Sequence, residues 1–330
     1  MPLLAITSRR CKALLFILVI CYILWTVTIG RGGRNKHGDD DNDVKGQSKA
    51  MIIASMKKDD TSWYAQYFPD WERNIYVVDD PEANLTVALN KGREGNVYLT
   101  YIIDNYDHLP KYMLFLHAER YQWHNDDPNY DGVPPINQLQ LPYLNEQGYI
   151  NLRCVHTLGC PVEIRPNTDI PRENVHAGAY FREGFQALFP QTPVPLAVGT
   201  PCCAQFGVTR KQVRKRSREE YVHYRDWLWN SSLSDALSGR IMEYSWHMIF
   251  GKEAVHCPSA RECYCKQFGL CGLRCDDEWN MTCEGRYVLP PYSSLPVGWP
   301  VYGWEGEVRP GFEKEAREKG ERPREVVPLG

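Results

Sequence analysis

The stretch that follows the apolar run Tyr112–Leu116 is rich in side chains that could do chemistry. It contains two histidines and four carboxylates, His117, Glu119, His124, Asp126, Asp127 and Asp131. Ligands of α/β proteins bind at the carboxyl ends of strands, so we interpret His117 and His124 as substrate contacts. Asp126 and Asp127 could hold a divalent cation that neutralises a diphosphate. The alternative is a turn whose Asp and Asn side chains bond to their own backbone.

A second candidate is the segment Glu243–His247, which reads EYSWH. The spacing of four residues places Glu243 and His247 on one face of a predicted helix, with Trp246 on another face where it could stack on a ring. A partly buried carboxylate can serve as a general base that deprotonates a hydroxyl, so Glu243 is the candidate catalytic residue. The alternative is a helix-face pair beside a core tryptophan. The H-E-x-x-H order of zinc proteases does not occur in the sequence.

Further charged residues could contact a nucleotide. Asp79 and Asp80 follow the second predicted strand and could contact a nucleoside, and Arg93 lies in a polar loop that could contact a substrate. A basic run near a predicted helix start could bind phosphate or an acidic glycan, and it comprises Arg210, Lys211, Arg214, Lys215, Arg216 and Arg218. Charge runs on helices are more often solvated faces, which is the alternative for this run.

The elements that would position these residues alternate between strand and helix. Short apolar runs predict strands at 51–54, 74–78, 112–116 and 205–209. Helical periodicity predicts helices over 62–68, 97–106, 210–229 and 235–250, the last ended by Gly251. This alternation predicts an α/β fold with a single mixed or parallel sheet and flanking helices.

An uncharged apolar segment at 13–29, preceded by Arg9, Arg10 and Lys12, predicts a transmembrane signal anchor. A cleaved signal peptide and a cytosolic C-terminal domain are the alternatives. Three N-glycosylation sequons beyond the segment favour a luminal C-terminal part, and they begin at Asn84, Asn230 and Asn280. We therefore expect a single-pass type II protein of the endoplasmic reticulum or Golgi, with the membrane as a partner through residues 13–29.

Ten cysteines beyond the apolar segment lack the paired C-x-x-C spacing of zinc sites, and disulfides are the better interpretation. They are Cys154, Cys160, Cys202, Cys203, Cys257, Cys263, Cys265, Cys271, Cys275 and Cys283. Cys154 and Cys160 could be bridged around a small hairpin-like excursion, and the spacing alone leaves the full set of pairs open. For the adjacent Cys202 and Cys203, two separate structural disulfides are favoured over a bridge between the two neighbours.

Composition bounds the domain organisation. The 330 residues carry a net charge of −3, which gives no support to nucleic-acid binding. The predicted boundaries are a cytosolic tail at 1–12, the anchor at 13–29, a flexible stem at 30–49, a luminal α/β domain at 50–256, a cysteine-rich subdomain at 257–284 and a disordered tail at 285–330.

Several separated motifs resemble an uncharacterised, mainly fungal family, domain of unknown function 3431. They are NKGRE at 90–94, VYLTYIIDNY at 97–106, LPKYMLFLH at 109–117, PCCAQFGVTR at 201–210 and EYSWHMIFG at 243–251. More distantly, the strand-helix alternation and the pattern AQF-x-V-x-R followed by E-x-x-W are similar to glycosyltransferases of the A-type fold. The Asp-x-Asp of a standard metal site is missing, and His117-Ala118-Glu119 stands in its place.

The more distant resemblance implies a nucleotide-sugar-dependent glycosyltransferase of the secretory pathway. In that hypothesis the cluster from His117 to Asp127 would contact the diphosphate, directly or through a divalent cation, Glu243 would be the base, and a glycan would be the acceptor. The alternative is a non-catalytic, membrane-anchored glycan-binding or scaffold protein.

Overall fold

The computed structural model describes residues 48–172, 176–275, 282–286 and 294–319. Within these ranges, no helix has the length and apolar character needed to cross a bilayer. The predicted anchor at 13–29 and the sequon at Asn280 lie outside the described residues.

The described chain is organised around one mixed, five-stranded sheet. Its strands are β1 (Lys49–Ser55), β2 (Glu72–Val77), β3 (Tyr112–His117), β4 (Tyr149–Asn151) and β5 (Phe206–Thr209). The strand order is β2-β1-β3-β5-β4, in which β2, β1 and β3 are parallel, while β5 runs antiparallel to both β3 and β4. Because the three parallel strands share one direction, their carboxyl ends meet at one edge of the sheet. The expected single mixed sheet is thus confirmed.

Helices flank the sheet. They are α1 (Ser62–Tyr67), α2 (Glu94–Asp104), α3 (Val133–Gln138), α4 (Leu141–Gln147), α5 (Gly178–Leu188), α6 (Arg210–Val213), α7 (Arg218–Asn230), α8 (Asp235–Glu243), α9 (Trp246–Ile249), α10 (Ala260–Phe268) and α11 (Glu313–Lys319), and a single 3₁₀ turn covers Tyr106–His108.

Both faces of the sheet are buried, and the strand sequences show why. Alternate residues of β1 point to opposite faces, so that Ala50 and Ile52 join one apolar cluster while Met51 and Ile53 join another. The first cluster contains apolar side chains of α2, α5, α7, α8 and α9, and the second contains those of α1, α3, α4 and α10. Each fully buried Ile or Leu contributes roughly 1.5–3 kcal/mol. Because β1 is buried on both faces, its sequence is a continuous apolar run rather than an alternating one.

Two predicted helices are each interrupted in the structure. The helix expected at 210–229 is divided by residues 214–217 into α6 and α7, because Ser217 starts a new helix with a capping box in which its hydroxyl accepts from the Glu220 N–H. The helix expected at 235–250 is divided at Tyr244 and Ser245 into α8 and α9. The first break had a sequence signal, because residues 214–220 contain no apolar side chain and Ser217 and Glu220 have the spacing of a capping box. The apolar pattern continues through Tyr244, so periodicity could not reveal the second break.

Five disulfides occur among the described cysteines, and two cysteine predictions are wrong. Cys154 pairs with Cys263 and Cys160 with Cys257, so the expected Cys154–Cys160 bridge does not form. Instead these two bonds tie the chain after β4 to the region of α10. Cys202 and Cys203 bond to each other rather than to separate partners. The remaining pairs, Cys265–Cys271 and Cys275–Cys283, are local.

Part of the predicted disordered tail has defined contacts. The indole N–H of Trp299 donates to the Asn129 carbonyl at 2.9 Å, and the Arg309 guanidinium donates to the Asn129 side chain at 2.6 Å. Arg309 also lies over the Trp299 ring, 3.8 Å from its centroid. Residues 294–319 therefore pack against the loop that follows β3.

We expect the disulfides to differ in their effect on stability. Loop entropy predicts a loss of ~3 kcal/mol for the Cys154–Cys263 bond, because the Cys160–Cys257 bond inside it already closes a loop of 97 residues, and ~2 kcal/mol for Cys265–Cys271, which spans 6. Replacing each pair by alanine and measuring the free energy of unfolding in guanidinium chloride checks this. Equal losses for the two variants would contradict the long-range role of the Cys154–Cys263 bond.

Candidate functional site

A cavity of about 680 Å³ opens at the sheet edge where the three parallel strands end. Ala54 and Ser55 of β1, Val78 after β2 and His117 of β3 all line it. Sequence reasoning expected a ligand site after β3, and three of its candidate residues, His117, Glu119 and His124, line this cavity together with Arg93 and Glu243.

The turn before α2 brings Arg93 to the cavity in an unusual backbone conformation. Arg93 has φ 54° and ψ −137°, and Gly92 before it has φ 67°. A side chain at Gly92 would collide with Leu228, since a Cβ there would lie 2.3 Å from Leu228 Cδ1. Gly239 of α8 packs on this turn, and a Cβ added to it would lie 3.2 Å from the Gly92 carbonyl oxygen. Strained residues persist only where surrounding packing fixes them, and they concentrate at functional sites.

The two histidines share one hydrogen-bond acceptor. Gln122 Nε2 donates to the Glu119 carbonyl at 2.8 Å, which turns its oxygen toward the rings. Gln122 Oε1 lies 3.3 Å from Nδ1 of His117 and 3.0 Å from Nδ1 of His124. Both Nδ1 atoms therefore carry the proton, which leaves the Nε2 lone pairs as acceptors.

Burial keeps both histidines neutral. It lowers the pKa of His117 and lowers the pKa of His124 well below its usual range, and the neighbouring His117 and Arg153 add to the latter effect. The buried Nε2 of His117 has no hydrogen-bond partner within the described part of the chain.

Glu243 is held by two neighbours at the wall of the cavity. Its Oε1 accepts a hydrogen bond from the Cys203 N–H at 2.5 Å, and its Oε2 lies 3.0 Å from Arg240 Nε. Burial raises the pKa of Glu243, while Arg240 and the Cys203 N–H oppose that shift. The side chain is 13% exposed and lines the cavity, so it can still meet a ligand. A buried carboxylate with a raised pKa is a stronger base than an exposed one.

The Cys202–Cys203 disulfide forms the part of the wall next to Glu243. Cys203 and Ala204 have φ values of 93° and 46°, so this turn also has a left-handed backbone. Arg153 Nη1 lies 2.8 Å from the Cys202 sulfur and contacts that of Cys203 as well. The turn thus aims the Cys203 N–H at Glu243.

Charges of both signs meet in the cavity. Lys58, Arg93 and Arg240 are its cations, and its carboxylates are Asp59, Glu94, Glu119, Glu163, Asp235 and Glu243. Burial raises the pKa of Glu94, and Arg93 and Arg240 oppose that shift. The cations could pair with an anionic ligand, since a phosphate would replace the carboxylates as their partner.

Asp126 and Asp127 stabilise the loop that follows β3. Asp126 accepts from the N–H groups of Cys154 and Val155 at 2.6 and 3.2 Å, and from the Tyr264 hydroxyl at 2.6 Å. Asp127 accepts from the Asn129 N–H at 2.8 Å. Neither carboxylate lines the cavity. Asp127 bonds within its own turn, as the turn interpretation proposed, whereas Asp126 bonds to the chain after β4 and to a tyrosine of α10.

One group of three potential metal ligands occurs among the described residues, Cys202, Cys203 and Glu243. Because the two sulfurs are bonded to each other, they are not thiolates and do not fit a metal. We therefore assign no metal ion to the predicted aspartates or to this group.

Three other candidates also lie away from the cavity. Asp79 accepts from the Lys57 N–H at 2.8 Å and Asp80 lies 3.2 Å from Lys57 Nζ, so both stabilise the turn after β1. Trp246 is 1% exposed and packs on Phe206 and Phe250 in the core.

The arginines of the basic run donate hydrogen bonds mainly to backbone carbonyls. Arg214, Arg216 and Arg218 donate to the carbonyls of Asp107, Ile249 and Ile103, respectively. These contacts are structural, and residues 210–218 do not line the cavity.

Sequence reasoning missed Arg240, Glu94, Gln122 and the Cys202–Cys203 bridge as parts of the site. Arg240 could have been found from its position three residues before Glu243, which places both on one helix face. Glu94 stands beside Arg93 in the NKGRE motif. The contacts of Gln122 and of the bridge depend on tertiary structure and have no local signal.

Comparison with known proteins identifies the family. The family model described as "Protein of unknown function (DUF3431)" matches residues 51–266. The chain belongs to this family. No curated protein and no solved structure matches the chain. The matched residues include every element of the sheet and the whole wall formed by Arg93, His117 and Glu243.

We expect Glu243→Gln to stabilise the fold at neutral pH. The folded state raises the pKa of Glu243, so ionising this carboxylate destabilises the fold at pH values above that pKa, and the penalty disappears as the pH falls below the pKa of the unfolded chain. Glutamine keeps the acceptor for the Cys203 N–H. The variant should melt higher than wild type at pH 8, by about 2–4 °C for each kcal/mol, and the gap should close toward pH 4.

Differential scanning calorimetry over this pH range measures the gap. Glu253→Gln, at an exposed carboxylate outside the cavity, is the matched control and should leave the melting temperature unchanged. A Glu243→Gln protein that melts below wild type at pH 8 would show that the carboxylate stabilises the fold.

Proposed function

We propose that the chain is a nucleotide-sugar-dependent glycosyltransferase. The observation that carries the proposal is the meeting of a buried carboxylate, Glu243, with three cations in one cavity at the carboxyl edge of the parallel strands. Ligands of open α/β sheets bind at this edge. A diphosphate leaving group and a hydroxyl nucleophile require these two kinds of residue side by side.

The donor would lie with its diphosphate against Lys58, Arg93 and Arg240. Guanidinium groups pair with phosphate oxygens through two parallel N–H donors, which gives them both charge and direction. The nucleoside would extend toward Ser55 and Val78, at the ends of β1 and β2. The three cations would neutralise the charge that develops on the diphosphate as it leaves.

Glu243 would act as the general base. It would take the proton of an acceptor hydroxyl, whose oxygen then bonds to the anomeric carbon of the sugar as the bond from that carbon to the diphosphate oxygen breaks. The proton ends on Glu243 and the negative charge on the leaving diphosphate. The Cys203 N–H fixes the carboxylate.

We also propose that the protein is anchored in the membrane of the endoplasmic reticulum or Golgi, with its C-terminal part in the lumen. Five disulfides support an oxidising compartment. The sequon residues Asn84 and Asn230 are exposed in the structure, which a glycan requires.

The activity predicts a specific loss in the Glu243→Gln variant. We expect the purified full chain to transfer or hydrolyse one member of a nucleotide-sugar panel, tested with and without manganese. Glu243→Gln should lower kcat by about 10²–10⁴-fold while donor affinity stays close to wild type, because a general base acts on the acceptor. Glu253→Gln should retain full activity. Folded protein that neither binds nor hydrolyses any donor would contradict the proposal.

The luminal placement predicts N-linked glycans at two exposed positions. Asn84→Gln and Asn230→Gln should each remove one glycan from protein expressed in a eukaryotic secretory pathway, as a stepwise gain in electrophoretic mobility. Treatment with an N-glycosidase should bring wild type to the mobility of the double variant, apart from any glycan at Asn280. Wild-type protein whose mobility does not change on this treatment would contradict the luminal placement.

A further inference from the structure

A second cavity, of about 710 Å³, adjoins the first. The two share six lining residues, which are Lys58, Asp59, Glu119, Gln122, Trp123 and His124. The second cavity extends away from the cations Arg93 and Arg240, toward α1 and residues 294–299. A molecule bound there would reach the first cavity past Trp123 and His124.

Three partly exposed aromatic rings line the second cavity, Tyr121, Trp123 and Trp299. The hydrogen bond from the Trp299 indole to the Asn129 carbonyl fixes one ring, and the Arg120 guanidinium, 4.7 Å from the centroid of Tyr121, fixes another. Aromatic faces carry negative charge density that attracts the weakly positive C–H groups of a sugar ring. Rigid rings offer such contacts with little loss of side-chain entropy.

Polar groups between the rings suit an uncharged polyol better than an anion. Asp59, Asp60 and Glu119 provide carboxylates, and Gln66 and Ser294 can both donate and accept hydrogen bonds. Lys58 and Arg120 are the lysine and arginine side chains of this lining. Arg120 donates two hydrogen bonds of 2.9 and 2.7 Å to Asp131, so its charge is already compensated. These carboxylates accept hydrogen bonds from neutral hydroxyls, and the cations Arg93 and Arg240, which could pair with a phosphate, line the first cavity and not this one.

We propose that the second cavity binds an uncharged saccharide. As the acceptor site of a transferase it rests on the proposed function, whereas saccharide binding itself does not. The shared wall places the ligand between the aromatic rings and the donor cavity, so that a terminal hydroxyl can reach the region of Glu243. The substrate class of the reaction is then a neutral oligosaccharide, extended by one sugar.

The test is saccharide binding by the full chain and by variants of the second cavity. An array of neutral oligosaccharides with terminal mannose, galactose, glucose or N-acetylglucosamine identifies a ligand, and titration calorimetry then measures its affinity. Tyr121→Ala should weaken binding about tenfold, the loss expected of one stacking ring. Asp60→Asn, which keeps the oxygen that accepts from the Ser62 N–H, should also weaken binding. Tyr143→Ala changes a partly exposed tyrosine that lines neither cavity and should leave the affinity unchanged.

Nucleoside diphosphate affinity, measured on the same variants, separates this inference from the proposed function. Tyr121 does not line the first cavity, so Tyr121→Ala should bind nucleoside diphosphate as wild type does. Nucleotide binding without binding to any saccharide on the array would overturn the inference and leave the transferase proposal standing. Saccharide binding that Tyr121→Ala and Asp60→Asn leave intact would overturn it as well. Saccharide binding without nucleotide binding would support the second cavity and contradict the transferase.

Discussion

The buried charge of Glu243 constrains the whole site. A carboxylate removed from water must be compensated by donors in fixed positions, or it takes up a proton. Here the Cys203 N–H and the Arg240 guanidinium provide that compensation. One donor belongs to the turn that precedes β5 and the other to α8, so both elements must be in place for the ionised carboxylate to be buried with these partners.

The close packing of α8 on the turn at Gly92 completes this arrangement. Because neither Gly92 nor Gly239 has a side chain, the helix approaches the backbone of the turn, and Arg93, Glu94, Arg240 and Glu243 come to one place. The sheet contributes the other wall, since its parallel strands end at the same edge. The candidate chemistry thus results from packing between elements far apart in sequence, on a scaffold closed by long-range disulfides such as Cys154–Cys263.

Much of the fold was predictable because its signals are local. The apolar runs at 51–54 and 112–116 are buried on both faces of the sheet, so they could be identified as strands without knowledge of their neighbours. The break after α8 was not predictable, because the apolar pattern continues through it, whereas the capping box of Ser217 and Glu220 was a local signal for the break before α7. The Cys154–Cys160 pairing failed for a different reason, since sequence spacing favours near neighbours whereas Cys154 bonds across 109 residues. The Cys202–Cys203 bond was missed for the opposite reason, because adjacent cysteines were expected to pair with separate partners.

The candidate site was predictable in part. The residues His117 and Glu243 were selected from their residue types and their positions at the ends of elements, and the structure brings them to one cavity. Asp126 and Asp127 were selected by the same reasoning, but their oxygens accept backbone N–H groups from after β4 and within the loop. Whether a carboxylate faces a ligand or its own backbone depends on tertiary contacts. Residue type alone does not determine it.

The most direct test of the central claim is hydrogen exchange of the full chain with and without a nucleoside diphosphate, read by mass spectrometry. If the cavity at the sheet edge binds the diphosphate, amides at 55–59, 90–96 and 236–243 should exchange more slowly with the ligand present, while those of α10 should be unchanged. Saturating nucleotide that protects none of these segments, or protects only residues remote from them, would contradict the account.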